Sequence, residues 1–495
     1  MARTVEVLSL IIGHLFVAEG EEKYRPKGQG DLRNARLVCR RWSEVATRHL
    51  FRHVALVHPN WMPDWEDDIE LLAECGFRKF KQLTASPTVQ HAARCADIFS
   101  APDPDQREYD VWEPWETGSY EPFTSAIDRI VDLPKLQEVR IRFADGVVGD
   151  TIENDPWWEY GFEHPDTRFH LLRAVFKAIH NRSTANGGSN TKVKTLTIQN
   201  LQNKALPEDI LSSEPFRSTV KEITNLRLQI AHEYNEPGPD HDLDLPDRRT
   251  FDPWLQNTFL PIFADQVTTL HLAQNDFWGT WPGYFDGQGL HFPNLTSLTL
   301  RAFAIGHHDQ FDWVLRQKTL QTLRLDHCVI ASYITFEPGQ LEAWNSPTHD
   351  WTRYPHWAFG LDPIFKTFNF PGTWETVFDK IQDQLTNLVD FRTGGYGSRH
   401  WGSPYYFFTP ERMPCLLSPQ RYITTWCTDV DENSGEMELG NGDPTPLPEE
   451  LRRVPNTWVK RRELNRAKET RDGDWRALKA LVETVAKRRR QKGLC

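Results

Sequence analysis

Apolar residues recur along the central part of the chain in a six-residue pattern. Each copy has an apolar residue, two variable residues, an apolar residue, one variable residue and a further apolar residue. The copies are LQEVRI (136–141), VKTLTI (193–198), ITNLRL (223–228), VTTLHL (267–272), LTSLTL (295–300) and LQTLRL (320–325). LTNLVDF (385–391) reads as a degraded seventh copy, with Asp390 where an apolar residue is expected. This periodicity predicts a series of short strands.

Apolar residues at helical spacing precede several of these strands. Residues 167–181 place Leu171, Leu172, Val175, Phe176 and Ile179 on one helical face. Further helices are predicted over 253–263, 309–318 and 373–384, with Pro253 in the first turn of its helix. Helix followed by strand, repeated in this order, predicts an α/β fold with parallel strands and right-handed crossover helices.

The copy at 320–325 continues as LQTLRLDHCVI, which resembles the leucine-rich-repeat consensus with Cys328 at its Asn/Cys position. The resemblance implies an irregular leucine-rich-repeat-like α/β solenoid with parallel strands over residues 59–431. The solenoid is expected to be irregular because insertions at 104–122, 233–252 and 333–373, rich in Trp, Pro and acidic residues, separate the copies unevenly. The alternative is a non-repetitive α/β sheet in which the pattern arises by chance.

Alternation along the strands separates a core face from a polar face. The core face is predicted to hold Leu270, Leu272, Leu298, Leu300, Leu323 and Leu325. In parallel register the other face carries three rows: Thr269, Ser297 and Thr322; His271, Thr299 and Arg324; Ala273, Arg301 and Asp326. Arg301 and Asp326 are expected to neutralise each other, leaving Arg324 to anchor an acidic or phosphorylated target. The candidate target-binding residues are His271, Thr299, Arg301 and Arg324, and the alternative is contact through the Trp-rich insertions.

The N-terminal region is predicted to form three short helices. Val5, Leu8, Ile12, Leu15 and Phe16 share one face of a helix over 4–17, and a polar loop follows over 19–30. Asp31 can cap the next helix, on which Leu32, Ala35, Val38, Cys39 and Trp42 recur at helical spacing, so that Cys39 is expected to be buried. These helices carry too much apolar surface for a free-standing domain of this size, so a partner is expected.

EVLSLIIGHLF and NARLVCRRWSEVATRHLFRHVAL together resemble an F-box in the form common in fungal proteins, over residues 1–58. The sequence departs from that family where Arg3, Thr4 and Val5 replace its opening Leu-Pro, and in a longer first loop. The resemblance implies that Leu8, Ile12, Leu37, Val38 and Trp42 dock on a Skp-family adaptor within a cullin–RING (SCF-type) ubiquitin ligase complex. The protein would be its substrate-receptor subunit, binding an unknown protein substrate. The alternative is a non-ligase scaffold that keeps an F-box-like fold.

Composition and charge exclude several classes of protein. The chain of 495 residues has a formal net charge of −12, which argues against a general nucleic-acid binder. No apolar run reaches the roughly 18 residues of a membrane span, and Glu6 and His14 interrupt the run that could imitate a secretory signal. Seven cysteines without a C-x-x-C spacing favour reduced thiols and a cytoplasmic or nuclear protein.

The C-terminal part, 432–495, is predicted to be a polar connector followed by a charged helix that Asp474 caps. Residues 487–490 read either as a nuclear localisation run or as cations favoured at a helix C-terminus.

Motifs for catalysis and for cofactors are missing from the sequence. It has no H-E-x-x-H, no G-x-x-x-x-G-K-[ST] and no G-x-S-x-G. His307 and His308 have no further histidine or cysteine nearby at ligand spacing, so no metal site is predicted. The sequence therefore predicts a chain that is not itself an enzyme and takes no cofactor.

Overall fold

A computed structural model describes residues 29–57, 69–100, 121–144, 147, 163, 165–232, 245–354, 364–394, 413–426, 429–431 and 466–494. The fold is mixed α/β with mostly parallel strands, as predicted. The chain divides into two compact units, Met1–Gln202 with Leu206–Leu228 and Asn203–Ala205 with Gln229–Cys495. The helix predicted over 4–17, the polar loop before residue 29, nearly all of the insertion 104–122 and the connector 432–450 lie outside the described residues.

Helices and strands alternate in the first unit. Its elements are α1 (Gln29–Ala35), α2 (Arg40–Leu50), β1 (His53–Leu56), α3 (Ile69–Ala85), α4 (Pro87–Ala92), β2 (Cys95–Phe99), α5 (Glu121–Ile127), β3 (Glu138–Arg142), α6 (Pro165–Thr184), β4 (Thr195–Gln202), α7 (Glu208–Ser212) and α8 (Glu214–Val220). The next strand, β5 (Asn225–Ala231), begins in this unit, and its last three residues are assigned to the second. Short 3₁₀ helices cover Asp128–Asp132 and Ala185–Gly188.

The strands of this unit lie side by side in chain order, with parallel pairing from β1 through β4. β1 falls within the 1–58 segment, and it is the first strand of this sheet. Further along the same sheet, β3 and β4 arise from two copies of the six-residue pattern. The five apolar residues predicted for one face of α6 are all buried, and Phe176 of that helix meets Phe216 of α8 edge to face. The apolar spacing in the sequence therefore identifies correctly the face of α6 that is buried in the fold.

The second unit contains the remaining copies of the pattern and a further group of strands. Its elements are α9 (Pro246–Trp254), β6 (Thr269–Trp278), β7 (Ser297–Ile305), α10 (Asp312–Leu315), β8 (Thr322–Asp326), β9 (Val329–Phe336), α11 (Gln340–Ala343), β10 (Thr352–Tyr354), β11 (Lys366–Asn369), α12 (Trp374–Gln384), β12 (Asp390–Gly394), β13 (Tyr422–Trp426), β14 (Asp429–Asp431) and α13 (Ala467–Gln491). The six leucines assigned to the core face of β6, β7 and β8 are all buried, as predicted.

β7 is shared between two groups of strands. Its first five residues, Ser297–Arg301, pair in parallel with β8, and β8 pairs in parallel with β12. Its last residues, Ala304 and Ile305, pair in parallel with β9. β9 also pairs in parallel with β13 and antiparallel with β11, while β10 and β14 add further antiparallel pairs. The six-residue pattern gave no indication of this second group.

Three strands of the six-residue pattern share an unusual backbone position. Asn200, Ala302 and His327 have φ values of 56°, 58° and 53°, and none of them is glycine. Each follows directly after the five residues that pair with a neighbouring strand, Thr195–Gln199, Ser297–Arg301 and Thr322–Asp326. Left-handed backbone is uncommon outside glycine, so its recurrence at one place shows a shared local geometry.

Two helix boundaries differ from the prediction. α9 begins at Pro246, and Pro253 lies near its end, followed by a π-helical turn over Leu255–Phe259 and a 3₁₀ turn over Leu260–Phe263. Since proline has no N–H for a helical hydrogen bond, the regular α-helix gives way there to irregular turns. The helix predicted over 309–318 shortens to α10.

The last helix also differs from its prediction, because α13 begins at Ala467 and Asp474 lies inside it. The buried Asp474 carboxylate accepts a hydrogen bond from the Glu375 N–H, in the first turn of α12, at 2.9 Å. Asp474 therefore caps a different helix.

Among the helices of the described ranges, none combines the length and the apolar character needed to cross a bilayer.

Candidate functional site

Neighbouring strands of the second unit carry polar side chains on the face opposite the buried leucines. We call the alternate positions of β6, β7, β8 and β12 on this side the polar face. The three rows predicted from the sequence are present in the predicted register: Thr269, Ser297 and Thr322; His271, Thr299 and Arg324; Ala273, Arg301 and Asp326. The parallel strand β12 extends them with Asp390, Arg392 and Gly394.

The charges of the polar face are paired across strands. Arg301 Nη1 lies 3.8 Å from Asp326 Oδ2, which agrees with the predicted neutralisation. Arg324 was expected to have no such partner, and this expectation is wrong, since its Nη2 donates to Asp390 Oδ2 at 2.8 Å. Arg392 Nε approaches the other oxygen of Asp390 at 3.4 Å. An incoming acidic group would therefore have to compete with Asp390 for Arg324.

The sequence pattern placed Asp390 at the wrong position of its repeat. In the structure Asp390 aligns with Thr322, and Phe391 aligns with Leu323. The seventh copy is therefore LVDFRT (388–393), three residues later than predicted, with Leu388, Phe391 and Thr393 buried. Asp390 is an ordinary polar-face residue, and its carboxylate reaches Arg324 for that reason.

Burial divides the four candidate target-binding residues into two pairs. His271 and Thr299 are buried, so neither side chain offers a surface to a partner protein. Arg301 and Arg324 keep part of their side chains exposed. Of the four candidate residues, Arg301 and Arg324 are therefore the two that a partner protein could contact, and each already lies beside a carboxylate.

Asp326 and His327 sit at the edge of the polar face in a poorly solvated environment. Burial raises the pKa of Asp326 to about 6, against the lowering effect of Arg301. Burial lowers the pKa of His327 to about 4, and Arg301 lowers it further. The His327 ring stacks on Phe277 with centroids 5.2 Å apart. These shifts keep the imidazole neutral near pH 7.

The N-terminal helices present a second candidate surface. Leu32, Ala35, Val45 and Ala46 form a small buried cluster, against which Trp42 and Leu50 pack. Leu37 and Val38 lie between α1 and α2 and are 84% and 63% exposed. Leu8 and Ile12, the other predicted adaptor-binding residues, lie outside the described residues. Trp42 thus belongs partly to the core, while Leu37 and Val38 form an exposed apolar pair.

The helix that was predicted to run through Cys39 is interrupted there. α1 ends at Ala35, turns follow over 36–38, and Cys39 is the N-cap residue of α2 with an extended backbone. Cys39 is exposed, so the expectation of a buried thiol is wrong. The break directs Leu37, Val38 and Cys39 away from the small core. Helical spacing alone could not reveal it, because the apolar positions on both sides continue the same period.

The fold also brings together a histidine–aspartate cluster that sequence spacing did not indicate. His307 follows β7, and His349 and Asp350 precede β10. Their ligand atoms all lie within 4.8 Å of one another. Burial lowers the pKa of His307 to about 4, helped by His349 and opposed by Asp350 and Asp309. Residue spacing did not indicate this cluster, because His349 and Asp350 come from a segment that is distant from His307 in the sequence.

No protein-family model matches the chain, and no curated protein matches it.

Proposed function

We propose that the protein is a substrate-receptor subunit of an SCF-type cullin–RING ubiquitin ligase. Its N-terminal F-box-like helices would bind a Skp-family adaptor, and its second unit would bind a target protein. The chain itself would supply binding only, with ubiquitin transfer performed by its partners. The resemblance of EVLSLIIGHLF and NARLVCRRWSEVATRHLFRHVAL to the F-box family supports the first assignment.

The exposed Leu37–Val38 pair is the observation that carries the proposal. Leu37 and Val38 are exposed to solvent, and neither belongs to the small buried cluster of the N-terminal helices. Burying each against a partner is worth about 1.5–3 kcal/mol. The neighbouring Arg33, Arg40 and Arg41 are exposed as well, which gives the pair a basic rim. An apolar centre with a basic rim fits a partner whose groove is apolar and bordered by acidic residues.

A leucine-rich-repeat-like solenoid is our proposal for the architecture of the body. It is supported by the buried leucines, by the predicted cross-strand register and by the left-handed residue shared by three strands. Cys328, at the Asn/Cys position, donates from its Sγ to the Leu300 carbonyl of the neighbouring repeat at 3.4 Å. This bond joins the repeat at 320–325 to its neighbour at 295–300, in line with the nearest-neighbour contacts of stacked repeats.

Co-purification tests the ligase assignment against the scaffold alternative. Tagged full-length protein is expressed in a fungal cell and captured, and the eluate is analysed by mass spectrometry. We expect a Skp-family adaptor and a cullin in the eluate. The same capture with Leu37→Asp and Val38→Asp serves as the control and should lose both. An eluate that contains neither protein at wild-type sequence would favour a non-ligase scaffold.

Target binding through the polar face is tested by neutralising its two accessible arginines. The variant is Arg301→Gln with Arg324→Gln, which introduces no like-charge contact with Asp326 or Asp390. We expect at least one co-purifying protein to be lost while the adaptor is retained. The matched control is Arg353→Gln with Arg476→Gln, at exposed positions of the second unit away from this face. Equal partner sets in both variants would show that the target contact lies elsewhere.

A further inference from the structure

We propose that His307, His349 and Asp350 bind a divalent transition-metal ion, for which Zn²⁺ is the best match. Asp350 Oδ2 lies 3.7 Å from His307 Nδ1 and 3.5 Å from His349 Nε2. Ligands of a tetrahedral zinc ion, at about 2.0–2.1 Å from the metal, are about 3.4 Å apart. Two of the three spacings in this cluster are therefore within a few tenths of an ångström of those that one ion requires.

The buried imidazole of His307 gives an independent reason to expect a ligand. Its side chain is fully buried, and neither ring nitrogen has a hydrogen-bond partner within the described ranges. Buried polar atoms in folded proteins are almost always hydrogen-bonded or coordinated, because leaving them unpaired is unfavourable. A metal ion between His307 and Asp350 would coordinate the lone pair of His307 Nδ1. The negative charge of the Asp350 carboxylate would balance part of the positive charge of the ion.

Two of the three ligands are already held in place by surrounding groups. The His308 N–H donates to Asp350 Oδ2 at 2.8 Å and fixes the carboxylate. Trp351 stacks on the His307 ring with centroids 4.8 Å apart, and its Nε1 donates to the Gly306 carbonyl at 2.6 Å. Contacts of this kind orient the ligands in metal sites and raise metal affinity.

His349 is the ligand that has to adjust. Its side chain is 52% exposed, and its ring stacks on His307 with centroids 4.7 Å apart. A side chain with this much freedom can rotate until its Nε2 converges with His307 Nδ1 on one ion. Asp309 Oδ1, at 3.7 Å from His349 Nε2, is placed to supply a fourth oxygen, or a water molecule can do so.

The ligand types decide which metals fit. Two imidazoles and one carboxylate suit Zn²⁺ and similar transition-metal ions, whereas Mg²⁺ and Ca²⁺ prefer sites built from oxygen. The ion would join the segment after β7 to the segment before β10, which are separated in sequence by α10, β8, β9 and α11. This link does not depend on adaptor or target binding. A test of the metal site therefore does not test the proposed function, and a failure of one proposal leaves the other unaffected.

The test uses the full chain without a histidine tag, stripped with a chelator and titrated with Zn²⁺ in a calorimeter. We expect one equivalent to bind, and Co²⁺ to produce visible absorption bands of a low-symmetry site. His349→Ala removes the half-exposed ligand without disturbing the core, and should weaken Zn²⁺ binding at least tenfold. His291→Ala, at another exposed histidine, is the matched control and should bind as the wild type does.

A thermal-unfolding measurement supplies the second readout. Zn²⁺ should raise the melting temperature of the wild type and of His291→Ala, because a ligand that binds only the folded state stabilises it. At the same Zn²⁺ concentration the rise should be smaller in His349→Ala and in Asp350→Asn, because weaker binding stabilises the folded state less. Absence of stoichiometric binding to the wild type, or equal affinity in the His349→Ala and His291→Ala variants, would overturn the proposal.

Discussion

Asp252 in the second unit is a buried carboxylate, and its hydrogen-bond donors within the described part of the chain are uncharged. The Gln274 side-chain amide donates to Asp252 Oδ1 at 2.8 Å, and the Gly279 N–H approaches the other oxygen at 3.4 Å. Burial raises the pKa of Asp252 to about 7, and these two donors oppose the rise only in part. The ionised form of this residue is therefore less stable in the folded protein than in the unfolded chain.

The raised pKa of Asp252 predicts how stability changes with pH. Between the ordinary aspartate pKa of about 3.9 and about pH 7, the folded state holds this proton and the unfolded state releases it. The free energy of unfolding should accordingly fall as pH rises through that window, by at most about 4 kcal/mol from this group. Asp252→Asn cannot titrate, and its amide oxygen can still accept from Gln274, so the variant should lose this part of the slope.

Urea unfolding at several pH values between about 5 and about 8 measures this slope. Asp265→Asn is the control, because Asp265 is exposed and its removal should leave the slope of the wild type. A slope in Asp252→Asn as steep as in the wild type would show that other groups cause the pH dependence.

At the scale of elements, a buried ion pair helps to attach α13 to the rest of its unit. Arg421 Nε donates to Asp474 Oδ2 at 2.8 Å, and both side chains are buried. Asp474 also accepts hydrogen bonds from Thr470, from the Tyr422 hydroxyl and from the Glu375 N–H. One carboxylate thus joins α13, the start of β13 and the first turn of α12.

This arrangement predicts strong coupling between Arg421 and Asp474. Asp474→Ala should cost about 3–5 kcal/mol of unfolding free energy, because it leaves a buried guanidinium without its counter-charge. The double variant Arg421→Met with Asp474→Leu should be much less destabilised than the sum of Arg421→Met alone and Asp474→Leu alone. A double-mutant cycle followed by urea unfolding measures the coupling, and additive effects would show that the two side chains act independently.

The elements of the repeats could be predicted from the sequence, and their contacts only in part. Alternation gave the buried leucines and the cross-strand rows correctly, because a strand has a period of two and parallel neighbours align identical positions. It missed the partner of Arg324, since the pattern puts the seventh copy three residues too early and Asp390 at a core position. It also missed the strands β9, β11 and β13, which carry no repeated pattern.

Residue spacing along the sequence cannot predict a site whose ligands come from segments that are distant in the sequence. The spacing around His307 and His308 predicts no metal site, because no further histidine or cysteine lies nearby in the sequence at ligand spacing. The fold brings His349 and Asp350 to it by means of the strands that the pattern had missed. The prediction for Cys39 failed for the opposite reason, since a helix break between Ala35 and Arg40 interrupts an apparently continuous period.

At the scale of the whole molecule, the two proposed binding functions belong to different compact units. Leu37 and Val38 lie in the first unit, and the polar face with Arg301 and Arg324 lies in the second. If the proposal is right, a change that removes apolar surface from the N-terminal helices should abolish adaptor binding without unfolding the second unit. This separation makes the central claim testable with purified proteins.

The most direct measurement is the affinity of the purified full chain for a purified Skp-family adaptor. We predict that the wild type binds and that Leu37→Asp with Val38→Asp binds at least about 100-fold more weakly, from the loss of two buried aliphatic side chains at about 1.5–3 kcal/mol each. The matched control is Trp475→Asp with Val482→Asp, which places two aspartates at exposed apolar positions of α13 and should bind as the wild type does. A wild-type chain that does not bind the adaptor, or a Leu37→Asp and Val38→Asp variant that binds equally well, would contradict the assignment.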